Sequence, residues 1–270
     1  MADFSNPASI TSTGQAATIP VALADTATRL GFLRRVYMLF SAAVVVWAGT
    51  ALYAVTNETL LLSLLNLLGG HPIITLLVLL GIMFILPRVV SMGTPINYLA
   101  LGAFGILQGL LTAPLIFMVL LSSAAPAVQQ STALAIQSGT GLGTSEVLRD
   151  GASLLTAAFM LTGIVFGGLT AYALTTKRDF SFLRGALALV FAVMFGIGVL
   201  AMFGIGRSFV MGWGWSAAWV LLMGGFVLYD TQNIMKRYPA NQAALAAAVL
   251  LSNFVIMFQR ILMLLSRGRN

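Results

Sequence analysis

The side chains of this sequence that could carry chemistry are a few ionisable and amide groups set inside long apolar segments. Asp230 lies in GFVLYDTQN, directly after an unbroken apolar run and six residues before Lys236. Asn253 and Arg260 interrupt the last apolar segment, and Arg88 stands at the end of an earlier one. A charge in hydrocarbon costs about 2.5 to 3.5 kcal/mol on insertion scales. Each of these groups is therefore a candidate functional residue.

Asp230 has two interpretations. At about 1.5 Å of rise per residue, it lies roughly 9 Å from the basic helix end at Lys236. It is either an interfacial aspartate that caps the helix end or a carboxylate buried in the protein. The apolar segments on either side of Pro239 are joined by few residues and should be antiparallel neighbours. Asn253 could therefore face Asp230 across the two segments.

The two arginines also have alternative interpretations. Arg88 is either an anchor at the membrane interface or a counter-ion for a carboxylate such as Asp230. Arg260 lies near the end of its segment, where a long side chain can reach the lipid head groups. The other interpretation of Arg260 is a functional charge inside the protein.

Motifs of the common enzyme classes are absent from the sequence. It has no phosphate-binding glycine loop, nucleotide motif, zinc signature or serine elbow. It has no cysteine, which excludes thiolate metal sites, and its single histidine, His71, cannot form a multi-histidine site. We therefore expect no enzymatic activity and no cofactor.

Composition shows what medium surrounds these groups. Of the 270 residues, 59% are hydrophobic and 8% are charged, with a mean hydropathy of +0.98. Soluble proteins carry about 25% charged residues because they need a hydrated surface. The low charge indicates a membrane protein with room for roughly six to eight helices. The net charge of +7 is spread between apolar runs, which favours orientation in the bilayer over nucleic-acid binding.

The pattern predicts an all-α, polytopic membrane protein with seven transmembrane helices. The runs are long and continuous, unlike the short alternating strands of a barrel. We place the spans at residues 37–56, 72–87, 96–121, 152–176, 186–206, 213–235 and 242–264. A leucine-rich piece at 59–68 is too short to span, and the polar stretch 122–151 is predicted to be an extramembrane loop.

Three regions follow from these spans. Residues 1–28 are small and polar and are predicted to be a disordered tail, 29–266 form the membrane domain, and 267–270 form a basic C-terminal tail. Inside the fourth span, Gly163, Gly167 and Gly168 predict a face on which another helix packs closely.

The distribution of basic residues predicts the orientation. With the N-terminus in the cytoplasm, the inner segments hold nine Lys and Arg and the outer segments hold four, as the positive-inside rule requires. The basic C-terminal tail would then be external. A seventh segment that re-enters the membrane, and does not cross it, would place this tail inside.

Four segments resemble one family in the same order. They are FLRRVYMLF, GLLTAPL at 109–115, LTAYALTTKRDFSFLRG at 169–185 and LYDTQNI at 228–234. Together they are similar to the Bax inhibitor-1 (transmembrane Bax inhibitor motif) family, especially its bacterial members. The resemblance extends from about residue 29 to residue 264.

The resemblance implies six helices around the seventh and a pH-sensitive calcium leak. In the family, an aspartate of the YDTQ motif shares a proton with a second aspartate in the last helix. Asp230 matches the first position, and Asn253 stands at the second. An Asp–Asn pair loses the coupled titration of two carboxylates. The resemblance also implies an arginine latch to Asp230, for which Arg88 is the candidate.

From these residues we form a hypothesis about conduction. Ionised Asp230 attracts a cation at the inner pore mouth, and when it is protonated or paired with Arg88 it helps to keep the bundle shut. Calcium prefers oxygen ligands, and Asp230, the Asn253 amide and nearby carbonyl groups could supply a few of them.

Two alternatives stay open. One is a non-conducting regulator that binds a membrane-embedded protease or another membrane protein through the N-terminal tail and the 122–151 loop. The other is a proton-coupled transporter, for which polar groups near mid-membrane are scarce. The resemblance implies a bacterial inner membrane as the location.

Overall fold

The computed structural model describes residues 20–23, 25–71, 73, 77, 81, 89, 96–210 and 212–268. Within this part of the chain the regular structure is helical, as predicted. The helices are α1 (Thr26–Thr56), α2 (Glu58–Gly70), α3 (Ile96–Ser123), α4 (Pro126–Ser138), α5 (Thr144–Thr175), α6 (Leu183–Met202), α7 (Arg207–Val210), α8 (Trp213–Arg237) and α9 (Ala243–Arg267). Short 3-10 turns occur at Val21–Leu23 and Ala240–Gln242.

Five of the described helices are long and apolar enough to cross a membrane. They are α1, α3, α5, α6 and α9, so five of the predicted spans are present as helices of spanning length. The 25-residue α8 coincides with the predicted sixth span but is not among these five. The predicted span 72–87 lies almost entirely outside the described residues. The arrangement of seven helices with six around the seventh therefore stays a prediction.

Two ends of the bundle are distinguished below. The end where α1 begins is called the proximal end, and the opposite one the distal end. Helices α3, α6 and α9 begin at the proximal end, whereas α5 and α8 begin at the distal end. The 13-residue α2 lies at the distal end and is too short to cross, as predicted for this segment.

The polar stretch 122–151 is more ordered than the loop that we predicted. It contains α4, which begins at Pro126, and the first two turns of α5. Proline is favoured in the first helical turn because its missing N–H has no partner there. Gly139 ends α4 with a φ of 71°, the left-handed conformation typical of a helix C-terminus. This polar stretch therefore holds a helix with a start signal and a stop signal of its own.

Regular structure also begins closer to the N-terminus than predicted. Helix α1 starts at Thr26, and Asp25 caps it by accepting a hydrogen bond from the backbone N–H of Thr28 at 3.2 Å. The 3-10 turn Val21–Leu23 precedes it. Residues 1–19 lie outside the described part of the chain.

The last helix, α9, packs against four long helices of the described bundle. They are α1, α3, α5 and α8. The Phe254 ring lies 5.5 to 6.0 Å, centroid to centroid, from Phe40, Trp47, Phe159 and Phe166 of α1 and α5. Each such pair contributes roughly 0.5–1.5 kcal/mol beyond area burial. The family-derived prediction of a central last helix is consistent with these contacts.

One buried hydroxyl joins three helices. Thr112 of α3 is fully buried and accepts hydrogen bonds from Trp47 Nε1 at 3.2 Å and from Gln259 Nε2 at 3.1 Å. Its own hydroxyl donates to the Gln108 carbonyl at 2.6 Å. Polar side chains tie helices together in lipid, where apolar surfaces have no preference for one another.

In the described part of the chain, close helix contact occurs at a glycine outside the predicted Gly163, Gly167 and Gly168 face. A Cβ added at Gly163, Gly167 or Gly168 would have no described atom within 4 Å. At Gly109 of α3, by contrast, a Cβ would lie 2.7 Å from the Trp47 carbonyl oxygen of α1. Which small residues face a neighbour depends on helix rotation, which spacing alone does not determine.

Candidate functional site

The site is built on the hairpin of α8 and α9. Helix α8 ends at Arg237, and α9 begins at Ala243 after the turn Ala240–Gln242. So short a connection forces the two helices to run antiparallel side by side. The end of α8 and the start of α9 therefore lie at the same proximal end.

Across this hairpin, Asn253 and Asp230 are in contact. The Asn253 Nδ2 donates a hydrogen bond to Asp230 Oδ2 at 2.7 Å. Asn253 is 7% exposed and Asp230 is partly buried. The predicted face-to-face placement of the two residues is present in the structure. Because an amide does not ionise, this pair contains a single titratable group.

The proximal end beside this pair is covered by the chain that precedes α1. The Val21 N–H donates to the Tyr238 carbonyl at 3.0 Å, and Pro20 and Pro239 form an isolated antiparallel bridge. Burial, followed by the nearby charge of Asp230, raises the pKa of Tyr238 to about 12.

The glutamine of the LYDTQ segment holds the loop between α5 and α6. Gln232 Nε2 donates to the Arg178 carbonyl at 2.7 Å, and Gln232 Oε1 accepts from the Phe180 N–H at 3.0 Å. Residues two apart on a helix point in nearly opposite directions. Asp230 therefore faces α9 while Gln232 faces the loop.

An ion pair adds a second link between the same loop and α8. Lys236 Nζ lies 2.9 Å from Asp179 Oδ1, and both side chains are exposed. Hydrogen bonds from Lys236 and Ser181 lower the pKa of Asp179 to about 2. The two most distinctive sequence segments, around residues 176–182 and 228–234, are thus in direct contact.

The calcium and latch predictions are not resolved by this geometry. The described residues contain no cluster of three or more His, Cys, Asp or Glu side chains. Asp230 and Asn253 offer few oxygens for a cation that takes six to eight. Arg88 lies outside the described residues, so its pairing with Asp230 stays a prediction.

Nearer the distal end of the same hairpin, Arg260 contacts an aromatic residue that our sequence predictions did not include. Its guanidinium carbon lies 4.8 Å from the centroid of the Trp219 ring of α8, and its Nη1 lies 3.8 Å from Met263 Sδ. Arg260 thus makes a specific cation–π contact, and its extension toward the head groups stays a prediction.

Sequence reasoning missed Gln232, Thr112 and the Trp219 contact. For Gln232 the sequence contains a signal. A polar side chain two residues from Asp230 points away from a different face of α8 and needs a partner there. For Trp219 a signal also existed, since it faces Arg260 across the same short α8–α9 connection that brings Asp230 to Asn253. For Thr112 no local signal exists, because its partners Trp47 and Gln259 lie on helices distant in sequence.

Comparison with known proteins identifies the family. A family model described as inhibitor of apoptosis-promoting Bax1 matches residues 127–270, more than half of the chain. This range includes the loop held by Gln232, Asp230 and all of α9. The chain belongs to the Bax inhibitor-1 family.

Relatives of this Bax inhibitor-1 family protein occur in several kingdoms. It is 28% identical to a BI1-like protein of Arabidopsis thaliana over 248 residues, 90% of this chain and 82% of the relative. It is 37% identical to an uncharacterized protein of Pseudomonas aeruginosa over 92 residues, 33% and 39% of the two chains. It is 30% identical to Bax inhibitor 1 of Schizosaccharomyces pombe over 132 residues, 49% of each. The chain thus spans half or less of the length of the last two relatives.

Proposed function

We propose that this Bax inhibitor-1 family protein is a pH-responsive cation leak that passes calcium, with Asp230 as its pore carboxylate. The observation that carries the proposal is the Asp230–Asn253 hydrogen bond across α8 and α9. It places an acidic group against the last helix, partly removed from solvent. No catalytic chemistry is part of this proposal.

The location of the other acids supports the choice of Asp230. Of the seven Asp and Glu residues, the remaining described ones lie in loops, at helix caps or in the first two turns of a helix: Asp25, Glu58, Glu146, Asp150 and Asp179. Asp230 lies seven residues from the end of α8, roughly 10 Å along its axis. Placing a charge at that depth in a membrane costs free energy, so an ionisable group there is a functional candidate.

A single carboxylate, that of Asp230, determines how the proposed flux depends on pH. When ionised, Asp230 attracts a cation to the proximal end of the α8–α9 hairpin, and when protonated it offers no charge. Asn253 positions the carboxylate but cannot exchange a proton. The flux should therefore rise with pH along the curve of a single titrating group.

The test is calcium flux into liposomes that contain the purified full-length protein. Asp230→Asn should reduce the flux to that of protein-free liposomes at every pH. Asp25→Asn is the matched control, because it makes the same change at the same end of the bundle and asparagine is an equally good helix cap. Wild-type flux in Asp230→Asn would refute the role of this carboxylate.

A second candidate function is a non-conducting regulator that binds a membrane-embedded protease or another membrane protein. It is favoured by the amide at the second acidic position and by α4, which exposes Leu134 and Ile136. Under this alternative, wild-type liposomes show no flux above the protein-free level. Crosslinking from α4 in native membranes would then capture a partner, and Leu134→Asp would abolish the capture.

A further inference from the structure

The α8–α9 interface carries a second charge, toward the opposite end from Asp230. Arg260 follows Asn253 by seven residues, which is two helical turns and roughly 10 Å along α9. Trp219 precedes Asp230 by eleven residues, three turns on α8. Both pairs of residues therefore share a helix face, and Arg260 meets Trp219 at 4.8 Å.

This guanidinium has no acidic partner in the described part of the chain. The salt bridge found there joins Lys236 to Asp179, and Asp230 bonds Asn253. Residues 72–95, most of which the structure does not describe, contain no Asp or Glu. The chain therefore supplies no carboxylate from that segment either.

Two N–H donors at this position lack an acceptor among the described residues. Arg260 Nε and Trp219 Nε1 are both buried and make no hydrogen bond there. Trp219 is 6% exposed, and its indole N–H can only donate. The thioether contact of Arg260 with Met263 is a weak one. Buried donors without partners are rare in native proteins and call for an explanation such as a bound ligand.

We propose that Arg260 and Trp219 bind a phosphate oxyanion at the distal part of the α8–α9 interface. A phosphate group accepts several hydrogen bonds at once and matches the planar fork of arginine. The cation–π contact uses the face of the guanidinium and leaves N–H groups at its edge for the anion. This site is independent of whether the protein conducts.

The position favours the head group of a phospholipid as the source of the phosphate. Arg260 lies seven residues before the end of α9 at Arg267, roughly 10 Å along the axis. A long side chain at that depth reaches the head-group region. Inorganic phosphate has the same chemistry, and the experiment separates the two sources.

The first arm uses the full-length protein in nonionic detergent with inorganic phosphate as the probe. Phosphate replaces chloride at constant ionic strength, and the midpoint of thermal unfolding is recorded. The midpoint should rise with phosphate in the wild type. Arg260→Gln should weaken the apparent phosphate affinity by at least about tenfold, the loss expected for one charge-assisted hydrogen bond. Arg207→Gln, at an exposed distal arginine, is the matched control and should behave as wild type.

The second arm uses nanodiscs of phosphatidylglycerol and counts the lipids that remain bound after extraction, by native mass spectrometry. The wild type and Arg207→Gln should retain one lipid more than Arg260→Gln. A response in this arm alone identifies a head-group site, and a response in the first arm alone identifies a site for the free anion.

Trp219→Phe provides a second variant, since it keeps an aromatic face for Arg260 but removes the N–H. It should weaken binding less than Arg260→Gln while leaving the protein folded. If Arg260→Gln fails to fold, Trp219→Phe and Arg260→Lys test the proposal in its place. Their apparent phosphate affinities are then compared with that of the wild type. Equal phosphate responses and equal lipid counts in the wild type and the variants would overturn the proposal and leave Arg260 as a structural cation–π partner.

Discussion

Glu58 and Thr144 lie 86 residues apart in the sequence and are joined by hydrogen bonds at the distal end of the bundle. The Glu58 carboxylate accepts from the backbone N–H and from the hydroxyl of Thr144, each at 3.2 Å, and from the Leu142 N–H at 3.2 Å. Helix α5 begins at Thr144, and its cap, Gly143, has no side chain to offer. A helix too short to cross the membrane thus supplies the anion that the N-terminus of α5 requires.

The first prediction concerns this contact. Its hydrogen bonds, of which the one from the Thr144 N–H is the largest cause, hold the pKa of Glu58 below its usual value of 4.5. A lowered pKa means that the stabilisation is present above pH 4.5 and is lost as the pH falls through the folded-state pKa. Glu58→Gln should therefore lower the free energy of unfolding by about 0.5–1 kcal/mol at neutral pH.

Thermal unfolding in micelles, from neutral pH to below 4.5, measures this difference. It should shrink on acidification because the wild-type carboxyl group becomes neutral as well. Glu146→Gln is the comparison, since Glu146 lies in the first turn of the same helix, α5, but accepts its hydrogen bond from the Ser131 hydroxyl and not from the N–H groups at the helix start. Its effect should be the smaller of the two. A difference that does not depend on pH would contradict the assigned contact.

A second prediction uses the amide opposite Asp230. Asn253→Asp would place two carboxyl groups at the 2.7 Å contact, and two groups that close titrate as a coupled pair. The pH profile of calcium flux should change from one step to two. Asn57→Asp, at the N-cap of α2, makes the same change at the other end and should leave the profile as it is. An unaltered profile in Asn253→Asp would argue against contact between the two positions.

A third prediction tests whether the hydrogen bonds of Gln232 keep the α5–α6 loop in place. Gln232→Ala leaves the Phe180 N–H and the Arg178 carbonyl without their partner, at a cost of roughly 1–3 kcal/mol. Hydrogen exchange at Phe180 and tryptic cleavage at Lys177 should both accelerate. Gln137→Ala on the exposed face of α4 is the control. Unchanged exchange at Phe180 would show that the loop is held by other contacts, such as the Asp179–Lys236 ion pair.

A fourth prediction compares two glycines. At Gly109, a Cβ would lie 2.7 Å from the Trp47 carbonyl oxygen and from Thr50 Cβ, so Gly109→Ala should destabilise the protein by roughly 1–3 kcal/mol. At Gly163 no described atom lies within 4 Å of such a Cβ. Gly163→Ala should then be neutral or should stabilise the helix by about 0.5–1 kcal/mol. Equal unfolding temperatures for both variants would contradict the α1–α3 packing.

Some features of the fold and site could be predicted because they depend on residues close together in the chain. The five helices of spanning length follow from continuous apolar runs, and the short α2 follows from the length of its run. The approach of Asp230 to Asn253 follows from the short connection between α8 and α9. Helix α4 differs from the predicted loop although its signals are local, because the polar composition of the stretch fits a loop as well as an exposed helix.

Contacts that depend on helix rotation could not be predicted. A hydropathy pattern with apolar residues on every side of a helix does not reveal which side meets a neighbour. Gly109 and Gly163 look alike in sequence, yet one faces α1 closely and the other has open space in the described structure. For the same reason the contact of Glu58 with Thr144 could not be predicted.

By itself, the sequence determined that this is a helical membrane protein of the Bax inhibitor-1 family with one acid deep in its α8 segment. Apolar length and motif order are properties of the chain alone. Only the tertiary structure decided that Glu58 caps α5, that Gln232 holds the α5–α6 loop, and that Thr112 joins α1, α3 and α9. Each of these contacts joins groups whose distance depends on how separate helices rotate and pack, and no local pattern encodes that.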